Sequence, residues 1–161
     1  MRRPSTKETL PLDTAQTELA TVWFTGAAVP FVLLVAQSIL GRYQDSVSEV
    51  WGWFVPSVGP TLGLILGVMG ATTLIDARKA ESPQREVKRS FFKLAFWLSI
   101  AYLTLLTLTL LLEPFSSLRG IKLYNVANYW LGSAQTLVAG AIAVLFTSSK
   151  DQQPQGDIKK E

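Results

Sequence analysis

Residues 50–75 read VWGWFVPSVGPTLGLILGVMGATTLI, a run of 26 residues without an ionisable side chain. An α-helix rises ~1.5 Å per residue, so this run is long enough to cross a ~30 Å hydrocarbon core with some tilt. We therefore expect a transmembrane helix here.

One face of this helix carries almost no side chains. At ~100° per residue, its glycines and prolines fall within one arc of about 100°: Gly52, Pro56, Gly59, Pro60, Gly63, Gly67 and Gly70. In lipid, small residues at four-residue spacing let helix backbones approach closely, and Gly59, Gly63 and Gly67 have this glycine-zipper spacing. We predict the tightly packed core helix of a bundle, kinked by Pro56 and Pro60 because proline lacks a backbone N–H. Two alternatives are the general enrichment of Gly and Pro in membrane helices and a hinge or pore-lining role.

The composition excludes several kinds of chemistry. The chain has 161 residues, no cysteine and no histidine. Disulfides, thiol catalysis, Cys/His zinc sites and imidazole acid–base chemistry are therefore excluded. We expect no catalytic residue, no cofactor and no metal site. The net charge of +3 is too small to suggest nucleic acid as a partner.

Three further apolar runs complete a predicted all-α integral membrane bundle of four transmembrane helices. The predicted spans are 18–40, 50–75, 91–112 and 124–147. They form one domain, 14–147, between a flexible amino-terminal tail (1–13) and a disordered carboxyl-terminal tail (148–161). The first run has about 22 residues, too long for the ~7–15-residue core of a signal peptide, so we read it as a retained span.

Local signals place the ends of these helices. Asp13 and Gln16 have capping-box spacing, so a helix is expected from Thr14, with Pro30 as a kink and Gly41 as its stop. A third helix is expected from about residue 83, after Ser82. The third span, whose threonines are scattered around the helix, is our candidate for the lipid-facing helix.

The fourth span has a face that is polar at first and then small. One arc of about 140° holds Asn125, Asn128, Gly132, Gln135, Thr136, Ala139, Gly140 and Ala143. Together with Gln37 on the first span, its amides and hydroxyls are the main intramembrane polarity. We favour interhelical hydrogen bonds, worth roughly 0.6 kcal/mol each. The alternative is a water-filled vestibule, although a pore would need polarity to continue toward Gly140.

The basic residues predict the orientation. Twelve Lys and Arg lie in the two tails and in 76–93, against three in the other two connections. The positive-inside rule then puts both termini in the cytoplasm, and we expect a bacterial inner (plasma) membrane. Five cations of the cytoplasmic connection are candidates for contact with lipid or with a soluble protein: Arg78, Lys79, Arg85, Lys88 and Arg89.

No family is identified from these features. Small multidrug carriers have the same four-span plan, but their first-span glutamate has no counterpart here. All twelve carboxylates lie outside the spans or at their ends, whereas proton- and cation-coupled carriers need ionisable groups within the membrane. We expect a non-enzymatic, homo-oligomeric scaffold or sensor subunit that engages a cytosolic partner through its basic connection. The alternative is an oligomeric pore or membrane-permeabilising effector, of the kind found in bacterial defence.

Overall fold

The computed structural model describes residues 9–43, 46–76, 86–118 and 121–147, without the side chains of 72–76 and 147. Its elements follow the chain in this order: β1 (Thr9–Pro11), α1 (Leu12–Ile39), α2 (Val47–Asp76), β2 (Glu86–Lys88), α3 (Arg89–Leu112), a 3₁₀ turn (Glu113–Phe115) and α4 (Ile121–Thr147). The four α-helices are each long and apolar enough to span a membrane, so the prediction of four such helices is confirmed. Residues 1–8 and 148–161 of the predicted tails lie outside the described residues.

The start of α1 differs from the prediction, and its end agrees. The helix begins at Leu12 after Pro11, and no side chain caps it. The capping box is wrong because Gln16 is buried and its Nε2 donates to the Leu145 carbonyl oxygen at 3.2 Å. At the other end, Gly41 has a φ of 69°, a left-handed conformation that favours glycine and ends the helix.

A short antiparallel strand pair was not predicted. Leu10 of β1 lies opposite Val87 of β2, and Thr9 opposite Lys88. Residues 9–13 are therefore strand and first helical turn rather than the flexible tail expected from sequence. For the same reason α3 begins at Arg89, and the expected start near residue 83 is wrong, because 86–88 are extended.

The helices form a ring in which α1 packs on α3, α3 on α4, α4 on α2, and α2 on α1. Because consecutive helices run in opposite directions, the neighbours α1 and α3 are parallel, as are α2 and α4. One end of the bundle, which we call the loop end, holds the α1–α2 and α3–α4 connections. The other, the strand end, holds β1 and β2.

The helix with the largest buried share is α3, whereas the sequence pointed to α2. In its most apolar stretch 39% of residues are buried, against 28% for α2. The buried stripe of α3 includes Ser99, Tyr102, Leu106 and Leu110, at the three- and four-residue spacing of one helix face. Glycine spacing therefore does not mark the most buried helix. The outer side of α3 still carries exposed apolar residues such as Trp97 and Leu105, so its lipid-facing role stays a prediction.

Aromatic and polar contacts hold this core together. The Trp23 indole N–H donates to Ser99 Oγ at 3.0 Å, and its ring stacks on Tyr102 at a centroid distance of 5.8 Å. The Tyr102 hydroxyl donates to the Ser57 carbonyl of α2 at 2.7 Å. Three helices are thus joined through one buried tyrosine, where an unpaired hydroxyl would be costly.

Candidate functional site

The small-residue face of α2 points away from the other helices. Gly52, Gly63, Gly67 and Gly70 are exposed, and a Cβ added at any of them would meet nothing within 4 Å. At Gly59 the nearest atom is Val55 Cγ1 of the same helix, at 3.8 Å. Within the described part of the chain, these glycines therefore meet no other helix, and their predicted helix packing stays a prediction for contacts between copies.

The physical reason lies on the opposite side of α2. Its buried stripe recurs every three or four residues and includes Trp53, Phe54, Ser57, Val58, Thr61 and Ile65. Two aromatic residues and four medium-sized side chains bury more apolar surface than glycines could, so this stripe turns inward. Because this stripe faces inward, the glycine face on the other side of α2 lies on the outside of the bundle.

The polar and small arc of α4 also faces outward. Asn125, Asn128, Gly132 and Gly140 are exposed, and an added Cβ at either glycine would meet nothing within 4 Å. The exposed Thr136 donates its hydroxyl to the Gly132 carbonyl at 2.9 Å, within its own helix. Most of this arc therefore makes no interhelical hydrogen bond of the kind expected from sequence.

Gln135 is the member of the arc that does bond to another helix. Its Nε2 donates to the Pro56 carbonyl oxygen of α2 at 3.1 Å. In a regular helix that carbonyl would accept from the N–H of residue 60, but residue 60 is proline and has none. The Gln135 amide thus satisfies a backbone group that Pro60 leaves open, as neighbouring side chains do in membrane helices.

This hydrogen bond also shows that the small-residue face of α2 and the polar and small arc of α4 lie next to each other. Gln135 lies at one edge of the α4 arc, and Pro56 belongs to the α2 arc. We call the combined surface the α2–α4 face; its members are Gly52, Pro56, Gly59, Pro60, Gly63, Gly67 and Gly70 of α2 with Asn125, Asn128, Gly132, Gln135, Thr136, Ala139, Gly140 and Ala143 of α4. The helices of this face run parallel, so it continues along most of the bundle. Pro30, the other predicted kink residue, is buried inside α1 and does not belong to it.

A second cluster of polar side chains occupies the loop end. The Tyr43 hydroxyl donates to Gln37 Oε1 and lies 3.2 Å from the Tyr124 hydroxyl. Tyr124 in turn stacks on Trp53 with ring centroids 4.5 Å apart. Burial raises the pKa of the Tyr43 hydroxyl above its ordinary value, so this group stays protonated and able to donate.

An ion pair closes the same end. Arg42 Nε and Nη2 both donate to Glu113 Oε2 at 3.1 Å, which links the α1–α2 connection to the end of α3. The Glu113 residue is only 6% exposed, so the charge of Arg42 offsets part of the cost of burying its carboxylate. Sequence reasoning missed the pair, although the opposite charges at the ends of two spans that finish on the same side are a usable signal.

The loop-end cluster borders a cavity of about 520 Å³ lined by Arg42, Tyr43, Ser46, Glu113, Pro114, Ile121 and Lys122. Two of these seven residues are cationic and one is acidic. Such a volume is typical of sites for small molecules. A cavity here was not foreseen, because the lining residues come from both connections and from the start of α4.

The basic segment is only partly within the described residues. Lys88 belongs to β2 and Arg89 begins α3, and both are exposed at the strand end. Arg78, Lys79 and Arg85 lie outside the described residues. Across 9–43, 46–76, 86–118 and 121–147, no group of three His, Cys, Asp or Glu side chains could hold a metal ion.

Comparison with known proteins adds no further constraint: no family model matches the chain, and no curated protein or solved structure matches it. The candidate sites are therefore the α2–α4 face, the loop-end cavity and the exposed cations of the strand end.

Proposed function

We propose that the protein is a non-enzymatic integral membrane scaffold or sensor subunit that assembles with copies of itself through the α2–α4 face. Both termini and the strand end lie in the cytoplasm, where the basic segment 76–93 engages a soluble partner. The observation that carries this proposal is the exposure of the α2–α4 face, which the chain's own helices leave uncovered.

The chemistry of this face favours a second copy as its occupant. Each carboxamide of Asn125 and Asn128 carries both donors and an acceptor, so amides of two copies are complementary to each other. Facing lipid alone, such groups would lack partners, and polar groups without partners in hydrocarbon are costly. The glycines beside them permit the close backbone approach that drives helix association in membranes.

The distribution of charge supports the orientation and the partner. Twelve of the fifteen Lys and Arg belong to the tails and to 76–93. Lys88 and Arg89 are exposed at the strand end, beside the beginning of α3. Exposed cations at the cytoplasmic surface suit an acidic protein surface as well as anionic lipid.

The oligomeric state tests the self-association. The protein purified in mild detergent should have the mass of an oligomer, and Gly132→Leu should shift it toward the monomer because the added side chain separates the backbones. Val144→Leu, an exposed apolar position on the same helix outside the face, is the matched control. A monomeric wild type, or an oligomer that Gly132→Leu leaves intact, would contradict the proposal.

The partner is tested separately by reversing charge. Lys88→Glu combined with Arg89→Glu should release a cytosolic protein that co-purifies with the wild type. Lys122→Glu, which reverses a charge at the loop end, should not release that protein. Equal recovery of the cytosolic protein with both variants would exclude docking on the strand end. It would not bear on the proposed self-association.

A second function is favoured by the exposed amides of α4. If several copies turned Asn125, Asn128 and Thr136 toward a common axis, these side chains would line a polar path. The apolar surface near Gly140 would interrupt that path, which is why the scaffold is our first proposal. Conductance in planar bilayers that Asn128→Leu abolishes would reverse this order.

A further inference from the structure

A second cavity lies beside the loop-end cavity and has the opposite character. This groove, about 470 Å³ in volume, lies between α3 and α4 and is mainly apolar. Its lining includes Leu108, Leu112, Phe115, Leu123 and Trp130. In a membrane this surface would face the lipid chains, so the groove is open to an acyl chain.

The two cavities share their borders along the chain. In the 3₁₀ turn and just after it, Glu113 and Pro114 line the polar cavity, whereas Phe115 and Ser116 line the groove. At the start of α4, Lys122 likewise lines the polar cavity, and the next residue, Leu123, lines the groove. A polar compartment and an apolar one therefore lie on either side of the same two turns, which is the layout that an amphiphile requires.

The polar cavity favours an anion. Arg42 and Lys122 supply two positive charges, and the Glu113 carboxylate is engaged by Arg42 at 3.1 Å. Arg42 binds one oxygen of that carboxylate through Nε and Nη2, lines the cavity and is more than a third exposed, which leaves its remaining N–H groups accessible to a ligand.

The amino-terminal ends of two helices add to the positive electrostatic potential of this cavity. Ile121 begins α4 and lines the cavity, and Ser46 lines it immediately before α2 begins at Val47. The parallel helices α2 and α4 thus direct their amino-terminal ends, with their positive partial charge, to one compartment. Two cations and two helix starts together suit a phosphate.

We propose that the loop end is a binding site for an anionic phospholipid, with its phosphate between Arg42 and Lys122 and one acyl chain in the α3–α4 groove. This inference rests on the membrane insertion in the proposed function. It concerns the end of the bundle opposite to the basic segment 76–93, so it is a different lipid contact from the one that segment offers.

Native mass spectrometry of the detergent-purified protein tests this site with phosphatidylglycerol and phosphatidylcholine of identical chains. Wild type should retain phosphatidylglycerol in preference. Lys122→Gln should weaken that retention about fivefold, the factor that corresponds to ~1 kcal/mol for one cation at a membrane surface. Lys93→Gln, which removes an exposed lysine from the strand-end part of α3, should have no effect.

The groove is tested by filling it. Thr109 lines the groove and is half-buried. Thr109→Phe should reduce retention of both lipids, because the ring takes the space of the acyl chain. Equal retention of phosphatidylglycerol by wild type, Lys122→Gln and Thr109→Phe would overturn the site.

Glycerol 3-phosphate separates a lipid from a soluble ligand. If it displaces phosphatidylglycerol at equal concentration, the cavity is a soluble-anion site and the lipid assignment is wrong; if it does not, the acyl chain contributes to binding as proposed. The same spectra report the mass of the assembly. Loss of the lipid preference with an intact oligomer therefore contradicts this inference alone, whereas a monomer contradicts the proposed function.

Discussion

Gly26 and Gly63 lie on neighbouring helices and have opposite surroundings. A Cβ added at Gly26 would lie 2.6 Å from Leu103 Cδ1 on α3, whereas one added at Gly63 would meet nothing within 4 Å. The glycine that a neighbouring helix packs against is therefore Gly26 of α1, next to the Leu103 side chain of α3. Gly26 lies on one of the two helices with the larger buried fractions, which explains why its size matters.

We expect Gly26→Leu to lower the free energy of unfolding by about 1–3 kcal/mol, the usual cost of overpacking. Gly63→Leu should leave the fold of the single chain as stable as the wild type, because its side chain enters open space. Thermal unfolding in a detergent that keeps the protein monomeric measures both. If Gly63→Leu were the more harmful of the two, the orientation of α2 about its own axis would be wrong.

Gln135 and Pro60 form a second pair that can be tested at single residues. Gln135→Leu should cost about 0.6 kcal/mol, and at most about 1.7 kcal/mol, because the Pro56 carbonyl loses its donor. In a Pro60→Ala background the backbone N–H of residue 60 supplies that donor within α2. The cost of Gln135→Leu should then shrink, and a double-mutant cycle measures the difference. Strictly additive effects would contradict the proposed exchange of donors.

Sequence reasoning at this scale identified the right residue types but not their neighbours. The polar arc of α4 was visible from periodicity, and Gln135 was in it. Nothing in the spacing indicated that Gln135 alone would reach a carbonyl on α2, because that depends on which helices are adjacent. Arg42 and Glu113 were missed for the same reason, since 71 residues separate them along the chain.

At the scale of elements, the Arg42–Glu113 pair fastens the α1–α2 connection to the end of α3. Arg42→Gln should destabilise the protein by about 1–3 kcal/mol, because a buried carboxylate would lose the two charged N–H donors of Arg42. Glu113→Gln should cost less, since Arg42 is partly exposed and can be solvated by water. Denaturation in mild detergent compares the two. Equal or reversed costs would show that the carboxylate has enough support from its other surroundings.

The four helices were predictable because each has a long apolar run, and their observed bounds extend at most six residues beyond the predicted spans. The strand pair was not predictable. Its strands are three residues each, and their partners are 75 or more residues apart in the chain. The ring order of the helices could not be predicted from the sequence either, because side-chain packing rather than hydropathy decides which apolar faces meet. Glycine spacing alone therefore pointed to α2 as the most buried helix, whereas α3 has the larger buried share.

At the scale of the whole molecule, the ring order separates two kinds of surface. The loop end gathers Arg42, Glu113, Lys122 and the buried tyrosines, whereas the strand end carries Lys88, Arg89 and Lys93. The α2–α4 face runs between them along the outside of the bundle. Lipid recognition, partner docking and self-association would thus use three different surfaces, and each can be altered without the others.

The proposed orientation of these surfaces can be measured, because the chain has no cysteine of its own. Ser117 is exposed at the loop end and Ser90 is exposed at the strand end. With twelve of fifteen basic residues in the tails and 76–93, we expect Ser117→Cys to react with a membrane-impermeant maleimide in intact cells. Ser90→Cys should react only after the membrane is permeabilised. Labelling of Ser90→Cys but not Ser117→Cys in intact cells would invert the topology and place the basic segment outside. Equal labelling of both would contradict a single orientation, and with it the cytoplasmic partner that the proposed function requires.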